Sequence, residues 1–515
     1  MNMTVEAVSN LMTKLEAKNL SFAHLTVNPD EKTMRELASK DETTTEFGSP
    51  SYVTEYRSRS AAFTRNTVEQ TITAEDLQKI EEAKAFLKKT RIIQLDRYLG
   101  EGEKTFHCRL FVSERYARLA LMFHKSLSEF KSIPENPDFI TVDLPEFPGE
   151  RRILVDTHAG VTYVLGSDYY GEIKKSFLRQ FMFSCKQAGG LGLHAGSKEV
   201  WAKSQKTGKI QRKGLLFFGL SGTGKTSLTC HEYELDAAAG EYIRVRQDDV
   251  VAIDKKSFCL GSEPKGFYIK TEGLDPSDQK ALYQAATSSQ AVFENVFVSP
   301  DGKVDFDNTE LTGNGRAVVN RREVMFTDEE INMPSTDAVF FITRNPLVPP
   351  LARLTPGQGV IAFMLGESIK TSAADPNAKG EPVREVGTNP FIVGDRGEEG
   401  NILRQIFENN PSMEIYLLNT GHLGVAKDKK RKIGILETVA MIRAVCRESI
   451  DWIKDEQLNL QVPQSVDGVD SALVRLSNFF EKDELASHLD QLRKERRNWL
   501  AQFSSLHADI ADFLY

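Results

Sequence analysis

Apolar positions fall along this chain in two periods. From about Ala74 to Lys89 they recur at helical spacing, with Leu77, Ile80 and Phe86–Leu87 on one face. Thr73 precedes this stretch and Asp76 follows three residues on, a variant capping box that predicts a helix start. From 100 to 165 short apolar runs alternate with charged segments: HCRLFV, FITVDL, RILVDT and VTYVLG. These predict the strands of a mixed α/β lobe, with one helix near 113–129. GLLFFGL at 214–220 is nearly continuous in apolar residues, as are AVFFIT at 338–343 and IYLLNT at 415–420. Runs of this kind bounded by turn residues predict strands buried on both faces. Over the last 30 or so residues Leu485, Leu489, Leu492, Trp499–Leu500, Phe503, Leu506 and Ile510 follow a helical period and predict a terminal helix.

Polar stretches punctuate these elements. Residues 1–60 are polar and mixed, and ASKDETTTEFGSPSY at 38–52 predicts a loop. Residues 196–214 are polar and basic and lead into GLLFFGL, while AADPNAKGEPVREVG at 373–387 predicts a long loop and a candidate lid. The chain shows no internal repeat and no low-complexity tract. Its 515 residues exceed one small module and fit two large domains, at about 100–200 residues each.

Composition narrows the class. With 40% hydrophobic and 27% charged residues the chain is of ordinary globular type, which argues against global disorder or a coiled coil. Lys+Arg 65 against Asp+Glu 73 leaves a net charge of -8, so a broad surface for nucleic acid or an anionic membrane is not expected. The five cysteines are scattered, with no pair at CxxC spacing, so neither a zinc knuckle nor a disulfide framework is expected. The N-terminal sequence lacks a secretory apolar core, and no apolar run approaches the roughly 18–20 residues that span a bilayer. The expectation is a soluble, cytoplasmic protein.

The sharpest chemical signal is Gly219, Leu220, Ser221, Gly222, Thr223, Gly224, Lys225, Thr226 and Ser227, which satisfy G-x-x-x-x-G-K-[ST] directly after a buried strand. Glycines let the backbone curl so that N–H groups point at phosphate oxygens, and a helix starting near Lys225 adds its positive end. Lys225 sets an ammonium against the β and γ oxygens, and Thr226 offers a hydroxyl to Mg²⁺. Downstream, a predicted strand at Tyr242–Arg246 ends in Gln247-Asp248-Asp249. Paired acids there suit a hard divalent ion or, equally, a solvated turn. Lys174 and Lys175 close Tyr169-Tyr-Gly-Glu-Ile-Lys-Lys175, and His194 sits in the glycine-rich Gly190-Leu-Gly-Leu-His-Ala-Gly196. On spacing alone these fit a solvated face and a structural histidine as well as a site. Glu294-Asn295 ends an apolar segment, and Arg316 follows a Gly-Asn-Gly turn from which it either clamps a phosphate or lies on the surface.

Taken in order, these segments resemble the ATP-dependent phosphoenolpyruvate carboxykinase family over most of the chain. The family's Y-G-G-E-x-K-K is similar to 169–175, its metal-binding His segment to the stretch around His194, and its G-L-S-G-T-G-K-T-T to 219–227 with Ser227 in the last place. Its G-D-D resembles Gln247-Asp-Asp249, its L-E-N-V Phe293-Glu-Asn-Val296, and its V-D-F-D and T-E-N-T-R Val304–Asp307 and Thr312–Arg316. L-x-P-P-x-x-R-L-T, Y-L-V-N-T-G and P…G-V-D fit 347–355, 416–421 and 463–470.

The resemblance implies a two-lobed α/β fold, with a substrate domain at 1–195 and a P-loop nucleotide- and metal-binding domain at 196–515. It implies Mn²⁺ on Lys175, His194 and Asp249, and Mg²⁺ on Thr226 and ATP. Lys174, Lys175, Lys225, Asp248 and Arg316 are the implied catalytic residues. Glu294, Arg316, Arg431 and Lys432 join the glycine loop around the nucleotide, and Arg59, Tyr169, Lys175 and Arg316 meet oxaloacetate. A lysine ligates a metal only as the neutral amine, which nearby cations such as Lys174 would favour.

Three departures stand against the family pattern. R-S-P-K-D is reduced to Tyr56-Arg-Ser-Arg-Ser60, leaving Arg59 as first and Arg57 as second candidate for the substrate carboxylate. E-H-G-W after the paired acids is Val250-Val-Ala-Ile253, and the adenine loop is replaced by residues 422–435. The competing readings are a kinase of the same fold with another small-molecule or protein acceptor, and a non-catalytic nucleotide-binding regulator.

Overall fold

The computed structural model describes all residues except 1–14, 18–19, 58–60, 103, 131–134, 221, 370–380 and 427–428. Among the described residues no helix is long and apolar enough to cross a membrane.

An eight-stranded sheet is assembled within residues 24–165, in the order His24–Val27, Arg91–Glu101, Lys104–Ser113, Phe139–Leu144, Val161–Leu165, Arg152–Asp156, Thr64–Asn66, with Ser128–Glu129 pairing off this path. Successive residues serve opposite faces, as a pleated strand requires. Ile92 and Phe111 join one core with Ile80, Ala83 and Leu87 of the helix Ala74–Leu87. Ile93, Leu110 and Val112 join another with Leu119 and Phe123 of the helix Ala117–Ser126 and Phe177 and Phe181 of the helix Tyr170–Gln187. The second face is the one that carries Lys174 and Lys175.

A second eight-stranded sheet holds the buried runs. Its centre is three parallel strands, Ile210–Phe218, Ala338–Thr343 and Glu414–Asn419. Ala195–Lys203 and Tyr242–Gln247 extend it antiparallel on one side, and Leu351–Leu354, Leu460–Pro463 and Trp452–Asp455 on the other. The polar stretch at 196–214 is thus mostly the two arms of a hairpin.

Several expectations are corrected. The segment at 38–52 is not a loop: Glu42–Thr44 and Pro50–Tyr52 pair, and Pro50–Tyr52 runs parallel to Val292–Glu294. Three-residue strands are too short to show a period, and this hairpin is stabilised by partners far away in sequence. It completes a five-stranded sheet with Gly266–Lys270 and Arg316–Asn320, so a piece of the first 195 residues is built into a sheet of later ones. The terminal helix stops at Leu500; Phe503 and Leu506 lie in turns and Ile510 in the 3₁₀ segment Ala508–Phe513, yet all three still pack on the core. Of the candidate lid, 373–380 lies outside the described residues. Its remainder is anchored: Pro382–Arg384 pairs with Glu367–Ile369, and Val386–Thr388 is buried.

The capping box expected at Thr73 and Asp76 is present, and it is larger than the helix needs. Asp76 is fully buried, accepts from the Thr73 N–H at 2.9 Å, and pairs with Arg65 at 2.9 Å and Arg152 at 2.7 Å. Asp76→Ala therefore removes one half of the capping box and the buried carboxylate shared by Arg65 and Arg152, of which Arg152 keeps Glu75. The expected loss is about 2–4 kcal/mol of unfolding free energy in a denaturant titration; an unchanged midpoint would show that the cluster carries no stability.

Candidate functional site

The glycine loop follows the strand Ile210–Phe218 and reaches the helix Lys225–Cys230 through Gly222 at φ 81° and Gly224 at φ 101°, left-handed positions that other residues rarely take. Thr223 closes the curl by donating to the Leu220 carbonyl, from its N–H at 3.1 Å and its hydroxyl at 2.7 Å. Ser221 lies outside the described residues. The helix has only six residues, so most of the positive charge at this edge rests on Lys225. Thr226 is half-buried in its first turn. The Ser227 hydroxyl points away, donating to Gln279 at 2.9 Å.

A small antiparallel sheet sets the next group. Leu193 pairs with Val251, so His194 and Asp249, just beyond the paired residues, are brought together. Packing of the helix Tyr170–Gln187 against the same region brings in the two lysines. Asp249 is the hub: its Oδ1 lies 3.0 Å from Lys225 Nζ and 3.0 Å from His194 Nε2, and its Oδ2 lies 3.2 Å from Lys174 Nζ and in contact with Lys175 Nζ. Lys174 also pairs with the buried Glu263 at 2.9 Å.

The charges in this cluster separate by surroundings. Burial disfavours a charged Asp249, but Lys175, Lys225 and Lys174 outweigh it and hold the carboxyl well below its usual range. Burial also works against Lys174, yet Glu263, Asp249 and Asp248 hold its ammonium above the ordinary value. Burial pulls Lys175 down to about 8 against the pull of Asp249, with repulsion from Lys174 and Lys225 adding to the shift. Burial pushes the Glu263 carboxyl up to about 7 and raises Asp248, whose Oδ1 is buried without a hydrogen-bond partner.

His194 tests whether the cluster suits a metal. Its Nδ1 lies 2.6 Å from the Thr388 carbonyl, which can only accept, so Nδ1 carries the proton. Burial and Lys225 lower the ring to about 4, so it is neutral at pH 7 and Nε2 turns a lone pair toward Asp249. Two acceptors facing each other at 3.0 Å favour a cation beside them. With Lys175 one proton from a free amine, the set offers amine, imidazole and carboxylate donors, and it fits a divalent ion. No group of three His, Cys, Asp or Glu side chains placed to hold a metal occurs among the described residues; the third member of this set is a lysine.

The substrate-side candidates form a second group. Asn314 donates to the Tyr169 hydroxyl at 3.2 Å and the Arg57 carbonyl at 3.1 Å, and accepts from Arg316 Nη2 at 2.8 Å. Arg316 lies 5.5 Å from the Tyr268 ring centroid. The segment carrying Arg57 is pinned by Asp168, which accepts from the N–H groups of Glu55 and Tyr56 at 3.0 Å each. Arg57 itself donates to the Leu311 carbonyl at 2.6 Å, which commits part of its guanidinium to the fold. Arg59 lies outside the described residues.

The remaining nucleotide candidates stand apart. Glu294 is buried and turned inward, accepting from the Tyr170 N–H at 2.8 Å and from the Tyr268 hydroxyl, and burial raises its carboxyl to about 7. These contacts are with the fold, because its strand pairs on both sides within the five-stranded sheet. Arg431 and Lys432 are exposed on a two-residue strand pairing with His422–Leu423. Arg431 bonds Glu437, while Lys432 lies opposite His422, two residues past Thr420, whose hydroxyl donates to the Thr223 carbonyl at 2.8 Å.

Sequence reasoning missed Thr388, Glu263, Asp168 and Asn314. Thr388 acts through its carbonyl, which any residue type carries. Asp168 flanks one segment already singled out and Asn314 lies inside another, and both were legible only as neighbours.

The fold and the site define a mixed α/β protein in which a glycine-rich loop meets a buried lysine–histidine–aspartate cluster through Lys225. A family model described as Phosphoenolpyruvate carboxykinase matches residues 18–472, and the chain belongs to that family. It is 35% identical over 431 residues to Phosphoenolpyruvate carboxykinase (ATP) of Aeropyrum pernix, covering 83% of this chain and 84% of that protein. To the proteins of the same name from Mesorhizobium japonicum and Shouchella clausii it is 26% and 28% identical, over 66% and 65% of this chain. Those two alignments span 62% and 61% of the relatives' own lengths.

Because Asp249 serves three lysines, Asp249→Asn should cost about 3–5 kcal/mol at neutral pH, read by denaturant unfolding. The sign with pH follows from its lowered value. The stabilisation is present above the unfolded carboxyl's pKa, near 3.9, and is lost as pH falls through the lower folded one. The difference between wild type and variant should therefore shrink in acid; a pH-independent difference would show that the carboxylate's charge is not what the lysines need.

Proposed function

We propose that this protein is an ATP-dependent phosphoenolpyruvate carboxykinase, converting oxaloacetate and ATP to phosphoenolpyruvate, CO₂ and ADP. The observation that carries the reading is the meeting of Lys175, His194 and Asp249 beside Lys225 of the glycine loop, with Asp249 Oδ1 3.0 Å from the lysine and 3.0 Å from the imidazole. A phosphate cradle with an adjacent amine–imidazole–carboxylate set is suited to a reaction that makes an enolate and phosphorylates it. Family membership points the same way.

In this reading Lys175, His194 and Asp249 would hold Mn²⁺, and Thr226 with the ATP phosphates would hold Mg²⁺. When bound, such ions supply Lewis-acid stabilisation of oxyanion charge. The protein's own groups do the remaining work. Glycine-loop N–H groups and Lys225 bind the polyphosphate tail. Arg316, aligned by Asn314, neutralises charge on the transferring phosphoryl group, and Tyr169 lines the acceptor side. Lys174 keeps an ammonium within 3.2 Å of Asp249 and fixes that carboxylate. Loss of CO₂ leaves the electron pair of the broken C–C bond on the enolate. The enolate oxygen then attacks the γ-phosphorus in line, and the bond to ADP breaks with its electrons on the β-phosphate oxygen. The substrate lobe is assigned to 1–195 and the nucleotide lobe to 196–515, with the reacting atoms between them and the acceptor carboxylate expected at Arg59.

Purified protein with ATP, Mg²⁺ and Mn²⁺ should form phosphoenolpyruvate only when oxaloacetate is added. ATP consumption with a different acceptor and none with oxaloacetate would refute the substrate. Lys225→Ala should lower kcat/KM by about a hundredfold or more, and unchanged turnover would remove the glycine loop from the nucleotide site. His194→Ala should shift the Mn²⁺ dependence specifically; an unaltered Mn²⁺ titration would take it out of the metal set.

A further inference from the structure

The three parallel strands at the centre of the second sheet end along one edge. Ile210–Phe218 runs into the glycine loop, Ala338–Thr343 into Arg344, and Glu414–Asn419 into Thr420. Their register sets Phe218 beside Phe341 and Thr343 beside Asn419, so the residues just past each strand lie side by side. This carboxyl edge is where open α/β sheets take their ligands.

Thr420 ties the edge together. Its N–H donates to the Thr343 carbonyl at 3.0 Å, and its hydroxyl donates to the Thr223 carbonyl inside the glycine loop at 2.8 Å. The same hydroxyl oxygen lies 3.5 Å from Nε of Arg344, at the long limit of a hydrogen bond. Gly421 is packed against this arginine: a Cβ at 421 would stand 3.1 Å from its Cα and Cβ. Arg344 is therefore one hydroxyl away from the glycine loop.

Arg344 is half-buried, yet no carboxylate among the described residues pairs with it. Other buried arginines spend their N–H groups, Arg118 on Asp168 at 2.7 Å and Arg496 on Glu367 at 2.6 Å, Arg97 on Asn28 and the Asp96 carbonyl, and Arg321 on the carbonyls of Val245, Arg246, Asp328 and Glu330. Burial alone holds its guanidinium below the ordinary value, with no neighbouring charge contributing. A guanidinium is a planar fork of N–H donors, and a half-buried one with a single long contact is an unspent anion receptor. Lys225, the cation on the other side of the loop, already shares its charge with Asp249 at 3.0 Å.

We propose that Arg344 is a second cation for the nucleotide's polyphosphate tail, binding a phosphate oxygen at the edge of the glycine loop alongside Lys225. This rests on the glycine loop holding a nucleotide, as proposed above. The position favours a phosphate over the acceptor's carboxylate. Through Thr420 the arginine is joined to the glycine loop, whereas Tyr169, Asn314 and Arg316 form their own cluster at the start of the strand Arg316–Asn320.

The test is equilibrium binding of ATP and of adenosine to wild type, Arg344→Met, Arg344→Gln, Arg344→Lys and, as a reference, Lys225→Met, with the melting temperature of each ligand-free protein. Arg344→Met and Arg344→Gln should each bind ATP about tenfold or more weakly, bind adenosine as wild type does, and melt no lower, because an unpaired buried cation has been removed. Arg344→Lys should recover part of the ATP affinity. Unchanged ATP affinity in both neutral variants, or equal losses for ATP and adenosine, would overturn the assignment. If wild type binds no ATP, or Lys225→Met binds it equally well, the glycine-loop reading itself falls. If wild type binds and Lys225→Met is weakened while the Arg344 variants are not, only the present inference fails.

Discussion

The carboxylate of Asp249 stands at the centre of three ammonium groups and one neutral imidazole, and among the described residues it is the one carboxylate that pairs with Lys175 and Lys225. A lone lysine transferred to a protein interior costs several kcal/mol or discharges. Here three are buried around one acid, with Glu263 and Asp248 behind it. Burial raises both of those carboxyls, Glu263 to about 7, so Glu263 supplies only part of its negative charge at neutral pH. Lys225, which carries the cluster to the glycine loop, shares its carboxylate with Lys174 and Lys175. A polyphosphate at the proposed nucleotide site would bring further negative charge to Lys225.

Such a hub works only if distant stretches of chain are held rigidly. The pairing of Leu193 with Val251 fixes the histidine against the aspartate, and the Thr388 carbonyl fixes which imidazole nitrogen faces inward. Thr388 takes φ 50°, uncommon for a residue with a Cβ, and it follows Gly387 at φ 61°. The strand Pro382–Arg384 and the ion pairs of Glu367 with Arg384 and Arg496 pin this turn from behind. On the other side the hairpin at 42–52 is sewn into the five-stranded sheet that carries Arg316, and Asp168 clamps the backbone leading away from it. The elements expected on the substrate side are thus tied to those on the nucleotide side by main-chain pairing.

What could be read in the sequence was whatever is local. The capping box at Thr73 and Asp76, the strands Phe139–Leu144 and Ala338–Thr343, and the glycine loop after a buried strand all carry their signal within a few residues. The hairpin at 42–52 carried none, because its strands have three residues each and its partner lies at Val292–Glu294. The terminal helix was drawn too long because Phe503, Leu506 and Ile510 keep an apolar spacing after the backbone has left the helix. Lys175, His194 and Asp249 could be picked out only by resemblance. Their meeting depends on tertiary register, which composition and period do not encode.

Lys174 and Lys175 show how finely that register acts. They are adjacent in sequence and on the same turn of one helix, and both touch Asp249 Oδ2. Yet one is held above its ordinary value and the other pulled down to about 8. Burial weighs on both, so the difference lies in the second neighbour. Lys174 has Glu263 at 2.9 Å, whereas Lys175 has Lys174 and Lys225 as fellow cations and an aromatic ring, Phe391, with its centroid 4.7 Å from Nζ. Neighbouring groups pushed apart in this way are suited to different tasks. The lysine that keeps its proton serves as fixed positive charge. Lys175, lowered to about 8, is the one of the pair that more readily presents a lone pair, and both share their carboxylate with His194.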